Sequence, residues 1–290
     1  MTRDILHRPA PRAAPEAAPG LPEGAAAPAA RPPWYRARTG EYGLVVLVFV
    51  AFLLVWAGIV EGLGLSSLVL PTPLAVWNAL VENLANGLLW GHLWVTLQEI
   101  VLGFLAGSCL GVGLGTLVAH SETARRVLNP YLVASQAMPK LALAPIFVLW
   151  FGFGILPKVV IAALICFFPL LENTITGLNE IEENKLELFR MMMASAWQTF
   201  YKLRVPNALP FIFAGLRVAI VLSVVGAIVG EYVGANKGLG ALIIVTQGNF
   251  DTPLMFSVFA LLTIVGTLLY KGMEVLERTL FGWRYLKREG

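Results

Sequence analysis

Six apolar stretches, each near the length that crosses a bilayer as a helix, decide what this chain can fold into. They fall at about residues 44–60, 96–119, 128–152, 157–176, 211–233 and 255–275. About 20 helical residues cover roughly 30 Å of hydrocarbon, where every backbone N–H and C=O must be bonded internally. Only 13% of residues are charged and 57% are hydrophobic, against about 25% charged in a soluble domain. The expected fold is all-α, a polytopic membrane protein with six transmembrane helices. Pro139 and Pro145 interrupt the third stretch and Lys140 lies inside it. That stretch is therefore either a kinked span or a cytoplasmic segment followed by a short span.

Basic residues set the expected orientation. Arg3, Arg8, Arg12, Arg31, Arg36 and Arg38 precede the first span, Arg125 and Arg126 follow the second, and Lys185, Arg190, Lys202 and Arg204 lie between the fourth and fifth. Lys271, Arg278, Arg284, Lys287 and Arg288 close the chain, while only Lys158 and Lys237 fall in the opposite loops. The excess places both termini and residues 177–210 in the cytoplasm. A basic face toward anionic lipid accounts for the net charge of +3 without a nucleic-acid partner. Residues 1–42, rich in Ala, Pro and Arg, are expected to be a disordered cytoplasmic tail ahead of an uncleaved first span. Residues 43–284 form the membrane domain and 285–290 a cytoplasmic C-terminal tail.

The connector between the first two spans is expected at the outer interface. Leu74, Val76, Trp77, Leu80 and Leu84 would make one helical face there, with Trp77, Trp90 and Trp94 at headgroup depth. Gly103, Gly107, Gly111 and Gly115 line one face of the second span, and Gly226, Gly230 and Gly234 one face of the fifth, so both are packing seams for close backbone approach. Glu99, Glu172, Arg217 and Glu231 sit near span ends and read as hydrated. Lys140, if it lies within the third span, requires a carboxylate or carbonyl partner and marks a water-lined pathway.

Nothing in the sequence assembles a catalytic or metal-binding constellation. His7, His92 and His120 have no ligand spacing or triad partner, and Cys109 and Cys166 both fall inside spans. No G-x-x-x-x-G-K-[ST] loop occurs, so ATP is not bound by a P-loop on this chain. No cofactor is expected, and the chain is not expected to be an enzyme.

Residues 177–210 are the polar exception among the apolar blocks. A helix there would align Phe189, Met193 and Trp197 at i, i+4 and i+8 as one apolar stripe, with Glu187, Arg190 and Lys202 solvated. By its chemistry this is a docking loop.

At this loop the chain resembles the inner-membrane permeases of binding-protein-dependent ABC importers. Their last long cytoplasmic loop carries Glu-Ala-Ala, three residues, Gly, nine residues, then Ile-x-Leu-Pro. Here Glu187-Leu188-Phe189 is followed after three residues by Met193, and after nine more by Leu203-Arg204-Val205-Pro206. The spacing is kept while two alanines and the glycine are replaced. The resemblance implies that 185–197 is a coupling helix between spans 4 and 5, seated in a groove of the ATPase, with Glu187, Leu188, Phe189, Met193, Ala194, Trp197 and Pro206 as its contact and motif residues.

Further fragments widen the resemblance to about residues 66–284. Val69-Leu70-Pro71-Thr72-Pro73, Pro139-Lys140-Leu141-Ala142-Leu143-Ala144-Pro145 and Trp150-Phe151-Gly152-Phe153-Gly154 are similar to the branch handling nitrate, sulfonates, taurine or pyrimidine precursors of thiamine. So are Phe168-Pro169, Gly238-Leu239-Gly240 and Phe250-Asp251-Thr252. The runs Tyr131–Gln136 and Thr96–Glu99 lean toward the pyrimidine-precursor members. The resemblance implies a permease of the bacterial inner membrane that pairs with a second copy as a homodimer, with two cytoplasmic ATPase subunits and an extracytoplasmic binding protein. The alternative is an autonomous ion- or proton-coupled channel or secondary carrier, with Lys140 and Glu231 as gating or relay charges.

Overall fold

A computed structural model describes residues 38–285, all helix and connecting turns without a strand among them. The expectations for residues 1–37 and 286–290 lie outside the described residues. The chain divides into two units, residues 1–54 and 55–290. The described part of the first is the opening of α1 (Arg38–Gly62), whose apolar run from Gly43 is the first membrane-length segment.

The second unit contains the remaining helices. Thr72 caps α2 (Pro73–Ala85) by accepting from Ala75 N–H at 3.2 Å, with Pro73 in the first turn where its missing donor costs nothing. Gly87, at φ 85°, turns the chain into α3 (Leu88–His120). Thus the second span begins at Leu88 rather than near residue 96. The expected single face of the connector also separates. Val76 and Leu80 are buried and Leu84 packs with them, while Leu74 and Trp77 on the other side are exposed. Positions 76, 80 and 84 follow the helical stripe; 74 and 77 do not.

Ser121 ends α3 and caps α4 (Glu122–Ala137) through Ala124 N–H at 3.2 Å. Met138, held extended ahead of Pro139, closes α4. A short 3-10 turn at Lys140–Leu143 then leads into α5 (Ala144–Phe151). The two arms of this third segment meet at 79°. The bent pair is either one broken span or a re-entrant loop. With α6 (Ile155–Asn179), α9 (Val205–Gly234, continuous with the segment from Ala196) and α11 (Thr252–Tyr285), the described residues hold five helices long and apolar enough to cross a membrane, or up to six if the bent pair is one span.

Helix α6 is the centre of the packing. Gly103, Gly107, Gly111 and Gly115 of α3 lie against it on one side, and Gly226 and Gly230 of α9 on another. A Cβ on Gly111 would stand 2.9 Å from the Phe167 carbonyl oxygen, and one on Gly230 would stand 2.9 Å from Lys158 Cα. Only a hydrogen fits there, so the backbones approach closely. Gly234 instead faces the Phe153 ring. A core of Leu80, Leu89, Ile100, Ile220, Val224 and Val258 joins α2, α3, α9 and α11 with α10 (Leu239–Gly248).

Candidate functional site

Two places stand out, at opposite ends of the α3–α6–α9 core. The first is the segment between α6 and α9. Helix α7 (Glu183–Met191) stops short, and its end is a Schellman turn: Ala194 N–H donates to Phe189 C=O at 3.0 Å and Met193 N–H to Arg190 C=O at 2.9 Å. Met193 takes the left-handed position at φ 51°, the conformation a glycine would supply without strain. Ser195 then opens α8 (Ala196–Thr199) with a reciprocal capping box, Gln198 N–H to Ser195 Oγ at 3.2 Å and Ser195 N–H to Gln198 Oε1 at 2.9 Å.

This turn corrects the expected continuous helix over 185–197. Phe189 and Trp197 lie on different helices, and Met193 sits in the turn between them at 92% exposure. Glu187 and Leu188 are exposed, and Phe189 and Ala194 half-buried. Trp197, 68% exposed, stacks on Phe200 with ring centroids 6.0 Å apart and lies 5.7 Å from Tyr201. From Phe200 to Arg204 the helix widens to a π turn before α9. Pro206, without an N–H, follows and denies the Lys202 carbonyl its usual α-helical donor. The surface offered is a cluster of Met191, Met192, Met193 and Trp197 rather than a stripe.

The second place is a buried polar cluster at the end where α3 and α6 begin and α9 finishes. Lys158 donates to Glu99 Oε1 at 2.6 Å, the lysine 6% and the glutamate 0% exposed. Glu231, 1% exposed, faces both groups. Thr96 O–H donates to Glu231 Oε1 at 2.6 Å and accepts from Leu239 N–H at 2.8 Å. Gly240 N–H donates to Glu231 Oε2, so this carboxylate sits on the N-terminal amides of α10. His92 Nδ1 lies 2.8 Å from the Gly238 carbonyl oxygen and 3.1 Å from the Gly238 N, donating to the first or accepting from the second according to its tautomer. Gly238, at φ 128°, and Gly240 leave no room for a Cβ against the Glu231 carboxyl. Glu99 Oε2 receives no donor among the described residues.

The reading of Glu99 and Glu231 as hydrated charges is thereby corrected, and Lys158 moves from a loop into the bundle. Each of these charges, taken alone, reads as a residue at the end of a span. The available signal was joint: one lysine and two carboxylates near the same ends of three spans. Such a cluster ties α3, α6, α9 and α10 together. Of the other singled-out charges, Glu172 is exposed and accepts from Gln136 at 3.3 Å, and Arg217 pairs with Glu277 at 3.4 Å. Lys140 lies over the Phe168 ring, 4.4 Å from its centroid, an aromatic face in place of the expected carboxylate or carbonyl.

Known proteins place this architecture. The family model of binding-protein-dependent transport system inner membrane components matches residues 107–280. The riboflavin transport system permease protein RibX of Chloroflexus aurantiacus is 39% identical over 241 residues, 83% of this chain and 90% of its own length. The formylaminopyrimidine transport permease protein ThiX of Halalkalibacterium halodurans is 39% identical over 238 residues, 82% of this chain and 94% of its own. An inward-facing crystal structure of the MetNI methionine ABC transporter matches with a TM-score of 0.57 at 23% identity, covering 68% of this chain and 98% of that one. The chain belongs to the family of binding-protein-dependent inner-membrane transport components. It is a multi-pass permease subunit of an ABC importer.

Proposed function

We propose that this permease works as a homodimer with two separate ATPase subunits docked on the α7–α8 segment at the cytoplasmic side, and an extracytoplasmic binding protein delivering solute to the opposite side. The observation that carries this reading is the exposed Met191–Met193 and Trp197 cluster, which the chain leaves uncovered at the ends of α6 and α9. Methionines and a stacked tryptophan suit an apolar groove on a partner. Glu187 lies at the rim, and Phe189 and Ala194 brace the turn. Pro206 fixes where α9 begins, so movement of the docked segment passes into that helix. ATP binding drives the two copies between inward-open and outward-open states, while hydrolysis and release reset them.

The solute is a planar nitrogen heterocycle of the pyrimidine or flavin kind. Both 39% relatives are named for such compounds, which favours this class over sulfonate, taurine or nitrate. Between the bent third segment and α6, Lys140 over Phe168 and the Gln136–Glu172 pair line the pathway with a ring and polar groups. Gly103, Gly107, Gly111 and Gly115, with Gly226 and Gly230, hold the packed core beside it, and Glu231 and Arg217 fix its two ends.

Docking is tested by Trp197→Ala and Phe189→Asp. Both are expected to lose the ATPase on co-purification and to abolish uptake while the permease itself stays monodisperse in detergent. Normal recovery of the ATPase together with normal uptake would refute the assignment.

A further inference from the structure

The cytoplasmic ends of three spans enclose a basic cavity that the transport reading leaves unused. It measures about 200 Å³ and is lined by Ala119, His120, Glu122, Arg125, Asn179 and Arg204. Arg125 and Arg204 are half-buried, and neither guanidinium has an ion pair or hydrogen bond among the described residues. The one acid in the wall, Glu122, is held by Arg126 at 2.8 Å. Two partly desolvated cations facing one small space repel each other until an anion joins them.

We infer that this cavity is a binding site for a phosphate group, with Arg125 and Arg204 as its cationic jaws. Guanidinium forks match phosphate oxygens in paired hydrogen bonds. The depth fits as well. Buried Ala119, Leu178 and Ala208 form a small apolar cluster at this end of α3, α6 and α9. The cavity therefore lies at the step from apolar to polar chain, the level of phospholipid phosphates. A second cavity of about 340 Å³ shares His120 and Arg204 and continues beneath the docking segment along Leu186, Arg190, Ala194, Thr199 and Phe200. An occupant of the first cavity thus braces α7 and α8 from below. The inference rests on the transport reading only in taking this end as the cytoplasmic one.

The test uses the full chain in nanodiscs, without ATP or partners. Discs of phosphatidylcholine alone are compared with discs containing phosphatidylglycerol, reading retained lipid by native mass spectrometry, the melting temperature, and amide exchange over residues 186–196. The expected result is retained anionic lipid, a higher melting temperature and slower exchange in wild type, with most of all three lost in the Arg125→Gln/Arg204→Gln pair and kept in Lys271→Gln, an exposed basic residue outside the cavity. Millimolar inorganic phosphate added to phosphatidylcholine discs separates the sources: equal protection by phosphate identifies the free ion, protection by phosphatidylglycerol alone identifies the lipid headgroup. An Arg125→Lys/Arg204→Lys pair guards against misfolding and is expected to retain an intermediate amount. Equal lipid retention and equal phosphate response in wild type and both pairs would overturn the site. Since no arm involves transport, that outcome would leave the importer reading standing.

Discussion

At the scale of single residues, the sharpest consequence concerns a lysine that the sequence placed in a loop. Among the described residues, Lys158 is the only cation in direct contact with Glu99, and Glu231 stands beside both. Lys158→Met removes the positive charge and strands carboxylates inside the bundle, an uncompensated burial that costs about 3–5 kcal/mol. Glu99→Gln leaves one cation facing one anion and keeps the side-chain volume, so its cost is expected to be less than half as large. Melting temperatures of the two variants in one detergent check the order; equal losses would show that the charge balance is not what holds the cluster. Met193 provides a test of opposite sign. Left-handed backbone costs a side chain about 1–2 kcal/mol, partly offset by the entropy that glycine loses on folding. Met193→Gly is therefore expected to tighten the α7 terminus by about 0.5–1 kcal/mol. Slower exchange of the Met193 and Ala194 amides would register it.

At the scale of elements, α3 carries its own control. Gly111 meets the Phe167 carbonyl and Leu170 on α6, whereas Gly113 on the same helix has nothing within 4 Å of a would-be Cβ. Gly111→Ala forces the helices apart and is expected to cost about 1–3 kcal/mol. Gly113→Ala only replaces a poor helix former and is expected to be neutral or stabilising by up to about 1 kcal/mol. The same contrast explains what could be read in advance. Apolar run length located the spans, because lipid admits almost no other solution for the backbone. The start of α3 is not legible because Gly91 and His92 interrupt its apolar run, although His92 is half-buried against Gly238. The α7–α8 break was hidden for a related reason: methionine gives no sign of a left-handed turn, and a regular i, i+4, i+8 pattern continues across it. The Glu99–Lys158–Glu231 cluster joins residues far apart in the chain, and nothing local in any of the three announces the others.

At the scale of the whole molecule, the question is whether the chain moves solute alone or only as part of a driven assembly. Family membership makes it an importer subunit, and its own architecture argues against autonomous flux. The lysine and carboxylates that a proton relay would use are not strung along a pathway. Lys158, Glu99 and Glu231 close on one another and on the amides of α10, where their hydrogen bonds hold four elements in place. Lys140, the other relay candidate, lies on the Phe168 ring, and Glu172 is engaged by Gln136. A relay needs groups that exchange protons with water on both sides, and the three charged groups of this cluster are buried, at 0–6% exposure. In proteoliposomes the chain alone is therefore expected to pass no pyrimidine or flavin solute and to dissipate no imposed proton gradient. Adding the ATPase subunits, the loaded binding protein and ATP is expected to start uptake, and Glu231→Gln is expected to weaken that uptake through loss of the α10 anchor without opening a leak. Solute or proton flux through the chain alone, abolished by Glu231→Gln, would instead make the cluster a conducting element and the docking segment incidental.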